Sequence, residues 1–281
     1  IHDNAGQCRG RFFLDLYARK GKRGGAWMGD GISRKRIDKH VQAPLAWLVT
    51  NFSPPLGDRP SLLTHDEVIT LFHEFGHGLH HMLTRIDYPA VAGINGVPWD
   101  AVELPSQMME NWCWQNEVLE MISGHMETGE PLPAEMVDRL QAARDFQAGM
   151  QLLRQIEFAL FDMHIHQGRE AVSVQSVLDD IRRETAVVMP PPFNRFQNSF
   201  SHIFAGGYAS GYYSYSWAEV LSADAFSLFE ENGIFDHATG RAFMENILEQ
   251  GGSREPMELF VAFRGREPEI DAFLRHRGLA A

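Results

Sequence analysis

The chain has 281 residues, 44% hydrophobic and 22% charged, with 25 Gly and 14 Pro, the make-up of an ordinary globular protein of one large or two average domains. Disordered, collagenous and low-complexity classes are excluded, and the longest apolar stretch, near Ala43 to Val49, falls far short of the roughly 20 residues that a membrane-spanning helix needs. A net charge of −12 gives no global electrostatic case for nucleic acid or anionic lipid; two distant cysteines, Cys8 and Cys113, indicate neither a disulfide framework nor a cysteine zinc site and fit a reducing, cytoplasmic compartment.

The numbering opens on Ile1, and Asn4-Ala5-Gly6 reads as a turn between strand-like pieces, as in a chain that starts inside a fold. Residues 1–60 carry the strand signals: Arg11 to Tyr17 is aromatic and partly alternating, and Ala43 to Phe52 is an apolar run ended by Pro54-Pro55, so two or three strands are expected. Between them Lys20 to Gly25 is a basic, glycine-rich turn to which no role is assigned. The rest, 61–281, reads as helical, which predicts a mainly α fold with a small β-sheet near the N-terminus. Thr64-His65-Asp66-Glu67 is a capping box and opens a helix of about 20 residues. Apolar residues at Met136, Leu140, Ala143, Phe146, Met150, Leu153, Phe158 and Phe161 predict a helical stripe over Leu132 to Gln167 that faces a core. Three more helices are predicted to stop at glycine: Tyr212 to Glu231, Arg241 to Gln250 and Glu267 to Arg277. No internal repeat or linker divides the chain, so 1–281 reads as one domain.

The chemistry sits on the capped helix. His73-Glu74-Phe75-Gly76-His77 is an HExxH motif, in which histidines at i and i+4 project from one helix face and share a metal while the glutamate reaches a water beside it. Gly76 and Gly78 each cost roughly 1 kcal/mol in a helix interior, which predicts a close approach by another element. A catalytic zinc takes three protein ligands and keeps one position open. His80 shares the face of His73 but lies about 10.5 Å along the axis from it, so His80 and His81 read as helix surface. The longer metzincin motif would need Gly and His where His80 and Leu83 stand. The remaining route is a carboxylate from a second helix, and Glu103 supplies it at a predicted helix start with Pro105 in the first turn. Ser106, Gln107 and Glu110 return to its face, so Glu110 is placed to orient a ligating histidine. Downstream, Phe200 to Tyr215 sets His202 and the tyrosines 208, 212, 213 and 215 around a glycine-rich loop. Phenol and imidazole donors of this kind suit a tetrahedral oxyanion; aromatic packing at a helix start is the plainer alternative.

FHEFGHGLHH, ELPSQMMENW and FSHIFAGGYASGYYSYSW together resemble the zinc metallopeptidase family of thimet oligopeptidase, oligopeptidase A and peptidyl-dipeptidase. DLYARKGKRGGAW and SREPMELFVAFRGREPEIDAF are most similar to its bacterial oligopeptidase A members, so the likeness runs from about residue 10 to the end. The resemblance implies a zincin-like catalytic domain with one zinc ion per chain on His73, His77 and Glu103, and with Glu74 as general base and later acid. It implies that His202, Tyr208 and Tyr215 form the substrate and oxyanion group, and that Tyr212, Gly206 and Gly207 line the substrate. Family chains are longer, with a helical N-terminal region walling a deep cleft, and the resemblance implies that this chain is the C-terminal catalytic part without it. The implied activity is metal-dependent hydrolysis of internal bonds in short peptides by a monomer. Alternatives on the same residues are a zinc-bound peptide-binding fragment that needs its N-terminal region to act, a dipeptide-releasing carboxypeptidase, or a zinc hydrolase of non-peptide substrates.

Overall fold

The computed structural model describes residues 1–168 and 173–280. Strands β1 (Arg11–Tyr17), β2 (Trp27–Ile32), β3 (Lys35–Ile37), β4 (His40–Gln42) and β5 (Leu45–Phe52) lie near the N-terminus, and helices make up most of the remainder. Five strands replace the expected two or three. β2 is broken up by Gly29 and Gly31, and β3 and β4 are three residues each, too short for an alternation to register. β5 is the centre of a three-stranded sheet, parallel to β1 and antiparallel to β2, with Leu14 and Met28 both level with Leu48. Alternation along β5 buries Ala46, Leu48, Thr50 and Phe52, while Trp47 on the other face stacks on Phe13.

Helix α1 (His65–Leu83) lies on the buried face of β5. Its start is set by the predicted capping box: the Glu67 amide donates to Thr64 Oγ1 at 3.3 Å and the Thr64 amide to Glu67 Oε2 at 2.8 Å. The two glycines then let α1 be sandwiched. A Cβ on Gly78 would stand 3.1 Å from Leu48 Cδ2, and one on Gly76 would stand 2.4 Å from the Pro105 carbonyl oxygen. That carbonyl belongs to α3 (Leu104–Glu110), which follows the single turn α2 (Trp99–Val102), with Glu103 at the junction. At its far end α1 is tied by Arg9, whose guanidinium donates to the Leu83 carbonyl at 2.5 Å and to Glu249 Oε1 at 2.9 Å. The side chains of that ion pair, 6% and 10% exposed, lie inside the fold, where Arg85 shares Glu249.

The next helices are α4 (Asn116–Ile122), α5 (Ala134–Asp145), α6 (Ala148–Gln167) and α7 (Val174–Thr185). The single stripe expected over Leu132 to Gln167 is corrected here: Gln147 takes a left-handed φ of 56° and splits it into α5 and α6. Met136 and Phe146 end up 52% and 69% exposed and Met150 and Leu153 37% each, and Phe161 is the residue of the stripe that is fully buried. Helices α8 (Ser214–Asn232), α9 (His237–Phe243), α10 (Pro256–Arg264) and α11 (Asp271–His276) complete the chain. Gly233, Gly251 and Gly278 do take positive φ after them, but α9 runs into a π-helical turn, Met244–Leu248, and α11 is shorter than predicted. Helix α10 was not anticipated. It packs Leu259, Phe260 and Phe263 with Phe226 and Phe229 of α8 and Met108 of α3 in the largest core cluster. A side chain of this size contributes roughly 2–3 kcal/mol when fully buried, so this cluster fixes α3 against α8.

Candidate metal centre

His73 and His77 project from one face of α1 with ring centroids 4.9 Å apart. Glu103, 3% exposed between α2 and α3, directs Oε2 between them, 3.3 Å from His73 Nε2 and 3.1 Å from His77 Nε2. Among the described residues these three side chains are the group whose potential ligand atoms all lie within 4.8 Å of one another. Gly76 makes this possible, since any side chain there would push α3 and Glu103 away from α1. Ser106, fully buried, donates its hydroxyl to Glu103 Oε2 at 2.9 Å and fixes the carboxylate. Glu110 Oε1 lies 2.6 Å from His73 Nδ1, so that nitrogen carries the proton and Nε2 faces the centre. His77 has no such partner, and its Nδ1 is buried and unpaired among the described residues.

The electrostatics follow from these contacts. Burial opposes charge on His73, but hydrogen bonds to Glu103 and Glu110 prevail and raise its pKa to about 10, the sign of a pocket that favours positive charge. Burial likewise works to raise Glu103, yet the two imidazoles hold its carboxyl well below the usual range. Glu74 differs: burial raises its pKa against the pull of His73 and His77, and its buried Oε2 has no hydrogen-bond partner among the described residues. A carboxylate that is desolvated, unpaired and beside two histidines is poised to take up a proton.

His80 and His81 are core residues, 3% and 0% exposed, and the expectation that they lie on the helix surface is corrected. A helix covered on two sides by the sheet and α3 has little solvent face left at that point. His81 Nε2 donates to the Ile32 carbonyl at 2.9 Å and its ring abuts Gly93, whereas burial lowers the His80 pKa to about 3 and keeps it neutral.

The tyrosine loop reaches the same place. The Tyr208 hydroxyl donates to Glu103 Oε1 at 2.7 Å, and the Tyr208 ring stacks on Tyr215 at 4.8 Å. His202 stands 6.3 Å from Tyr208 and 6.4 Å from Tyr215, ring centre to ring centre. Burial raises the pKa of both phenols, so they remain protonated donors. The Tyr212 ring lies 6.0 Å from His202 and 5.3 Å from Tyr215, with its hydroxyl on Gln155 Oε1 at 3.1 Å, and Tyr213 bonds Asp100. Gly206 packs on the His202 backbone, and Gly207, at φ 88°, passes under Trp99. Trp99, Ser106, Gln107 and Gln155 were not singled out for the tyrosine loop. Trp99 lies 4.7 Å from the Tyr208 ring, and Gln107 donates to the Tyr215 carbonyl at 3.1 Å. Only Ser106 and Gln107 had a signal, their shared face with Glu110. A cavity of about 750 Å³ adjoins the group, with Glu110, His202, Tyr212 and Tyr215 in its wall. No described helix is long and apolar enough to cross a membrane.

Among known proteins, the chain is 60% identical over 281 residues to an oligopeptidase A of Haemophilus influenzae, a match covering 99% of this chain and 41% of the relative. It is 58% identical to oligopeptidase A of Escherichia coli, covering 99% of this chain and 42% of that one. It therefore spans about two fifths of the length of these relatives. A solved structure of PZ peptidase A with an inhibitor shares the fold, with a TM-score of 0.64 at 19% identity, over 94% of this chain and 42% of the other. The family model described as peptidase family M3 matches residues 1–279, nearly the whole length over which the helices, the sheet and the histidine–glutamate cluster are laid out, and the chain belongs to that family.

Proposed function

We propose that this chain is the catalytic part of a zinc-dependent oligopeptidase that hydrolyses internal bonds of short peptides, with 1–281 as one catalytic domain. The observation that carries the reading is the convergence of His73 Nε2, His77 Nε2 and Glu103 Oε2 beside the unpaired Glu74 carboxylate. The donor set fits the ion: two ligands at zinc's usual bond lengths stand about 3.3 Å apart in a tetrahedron, and the two imidazole–carboxylate distances are 3.3 and 3.1 Å. Two imidazoles and one carboxylate would hold it and leave one position open. When bound, zinc supplies Lewis-acid polarisation of the scissile carbonyl and acidifies water.

The chain's own residues supply the proton transfers. Glu74, desolvated and with its buried Oε2 free of hydrogen bonds among the described residues, takes the proton of the attacking water and returns it to the leaving amine. Glu110 keeps the His73 ring in the tautomer that presents Nε2, and Ser106 holds Glu103. Tyr208 or His202 donates to the oxyanion, Tyr208 exchanging Glu103 for it on a loop with glycine at 206 and 207; Tyr215, stacked on Tyr208, supports it. Tyr212 and the cavity wall beside it receive the peptide.

The test is cleavage of a mixed library of short peptides by the zinc-loaded chain, with and without chelator, read by mass spectrometry. Chelator-sensitive cleavage is expected, and Glu74→Gln should bind zinc normally yet lose nearly all turnover. Zinc binding without cleavage by the parent chain would favour the peptide-binding alternative.

A further inference from the structure

Asp162, on α6, is fully buried and touches none of the residues considered so far as ligands or proton carriers. Its carboxylate accepts the Ser210 amide on Oδ1 and the Tyr212 amide on Oδ2, each at 2.9 Å, and His166 Nδ1 lies 2.9 Å from Oδ1. Ser210 has a φ of 56°, a left-handed conformation that a residue with a Cβ adopts only where surrounding contacts hold it. Two amides turned toward one anion across such a residue form a closed cradle, and here the anion is a side chain of the protein itself. Two further contacts tie the same loop to the same helix: Gln155 accepts from the Tyr212 hydroxyl, and the Phe158 ring meets Tyr212 edge-on at 5.8 Å. Beneath the cradle, Phe161, Leu178, Ile181, Phe200 and Ile203 form a separate apolar cluster against which Tyr208 and Tyr212 pack.

We propose that Asp162 is a positioning residue of the metal centre, which clamps the 208–215 segment so that Tyr208 and Tyr215 stand over Glu103. The proposal rests on the peptidase reading above for its catalytic consequence, while the clamp itself is a matter of geometry. A carboxylate is required because both amides need an acceptor. An amide in its place offers one acceptor and one donor, and the donor faces an N–H. The loop then loses one charge-assisted hydrogen bond and gains a repulsion, whereas α1 and α3, which carry His73, His77 and Glu103, are left untouched.

Hydrogen exchange and kinetics on the zinc-loaded chain test this together. In the unmodified protein the Ser210 and Tyr212 amides should exchange at least about tenfold more slowly than an open chain. In Asp162→Asn, zinc content and exchange across 65–83 should be unchanged, exchange across 205–216 should rise about tenfold or more, and kcat should fall about tenfold with KM held within about twofold. Unchanged exchange and kcat in the variant would overturn the proposal, as would open-chain exchange of the two amides in the unmodified protein, a measurement that decides the matter even if the variant does not fold. Faster loop exchange in the variant of a chain that cleaves no peptide would support the clamp and overturn the peptidase reading.

Discussion

The Tyr208 hydroxyl donates to the same carboxylate whose other oxygen lies between His73 and His77, across 105 residues of sequence. Removing that hydroxyl while keeping the ring separates its two services. Tyr208→Phe retains the stack on Tyr215 and the contact with Trp99 but donates nothing. We expect kcat to fall on the order of a hundredfold with KM little changed, the loss typical of one oxyanion donor. Steady-state kinetics on a cleaved peptide check this, and an unchanged kcat would make the tyrosine a support for Glu103 alone.

Ser106 tests the carboxylate from its other side. Its hydroxyl is one of the few groups that fix Glu103 Oε2, and alanine fits the same buried space. Ser106→Ala should weaken zinc affinity about tenfold, as loss of an outer contact to a ligand does. Titration against a competing chelator reads the change; equal affinities would show that α3 and the Tyr208 hydroxyl orient the carboxylate without Ser106.

The two glycines of α1 should respond differently to the same methyl group. At Gly76 the new Cβ meets main chain, 2.4 Å from the Pro105 carbonyl oxygen, so α3 must shift and take Glu103 with it. Gly76→Ala should therefore cost about 1–3 kcal/mol of stability and lower zinc affinity as well. At Gly78 the nearest atom is a Leu48 methyl at 3.1 Å, which can yield, and alanine regains about 1 kcal/mol of helix propensity. Gly78→Ala should be close to neutral. Denaturant melts with parallel metal titrations distinguish the two, and matching effects would refute the packing argument.

His80 gives the fold an acid-sensitive term. Burial lowers its pKa to about 3, with the neighbouring His77 and His81 acting the same way, against about 6.5 in an unfolded chain. Between those values the unfolded state binds a proton that the folded state refuses, so stability is full above about pH 6.5 and drops as pH falls, by a factor of about ten in the folding equilibrium per pH unit. His80→Gln, which does not titrate, should show a shallower loss of stability between pH 6.5 and 4 in denaturant midpoints. Equal slopes would show that the folded protein accommodates the charged ring.

Much of the centre was legible because its signals are local. A capping box, HExxH spacing and a Pro at a helix start each act within a few residues; the structure carries the capping box as read and sets Glu110 Oε1 2.6 Å from His73 Nδ1. The burial of His80 and His81 was not legible, since it depends on α1 being covered on two sides, which the glycines hinted at only through Gly76 and Gly78. The split between α5 and α6 had little punctuation: Gln147 itself turns left-handed, and the nearest glycine, Gly149, lies inside the first turn of α6. Helix α10, in contrast, carries its markers in the sequence, Pro256 in the first turn and Gly265 at φ 82° just past the end. Asp162 left no trace in the sequence pattern, because its partners are backbone amides 48 and 50 residues away.

The buried pair of Arg9 and Glu249 has a consequence for how the protein is made. The two residues are 240 positions apart, and the same guanidinium holds the last carbonyl of the helix that bears His73 and His77. On the ribosome that helix can wind and cap early, from contacts within its own sequence, and His81 can reach the Ile32 carbonyl, but the arginine at its far end lacks its carboxylate until residue 249 has been synthesised and has found residue 9. Such long-range closure is slow compared with local winding. Affinity for the ion should accordingly appear late in synthesis, and nascent chains stalled before α9 should take up metal poorly even though both histidines and Glu103 have long since emerged.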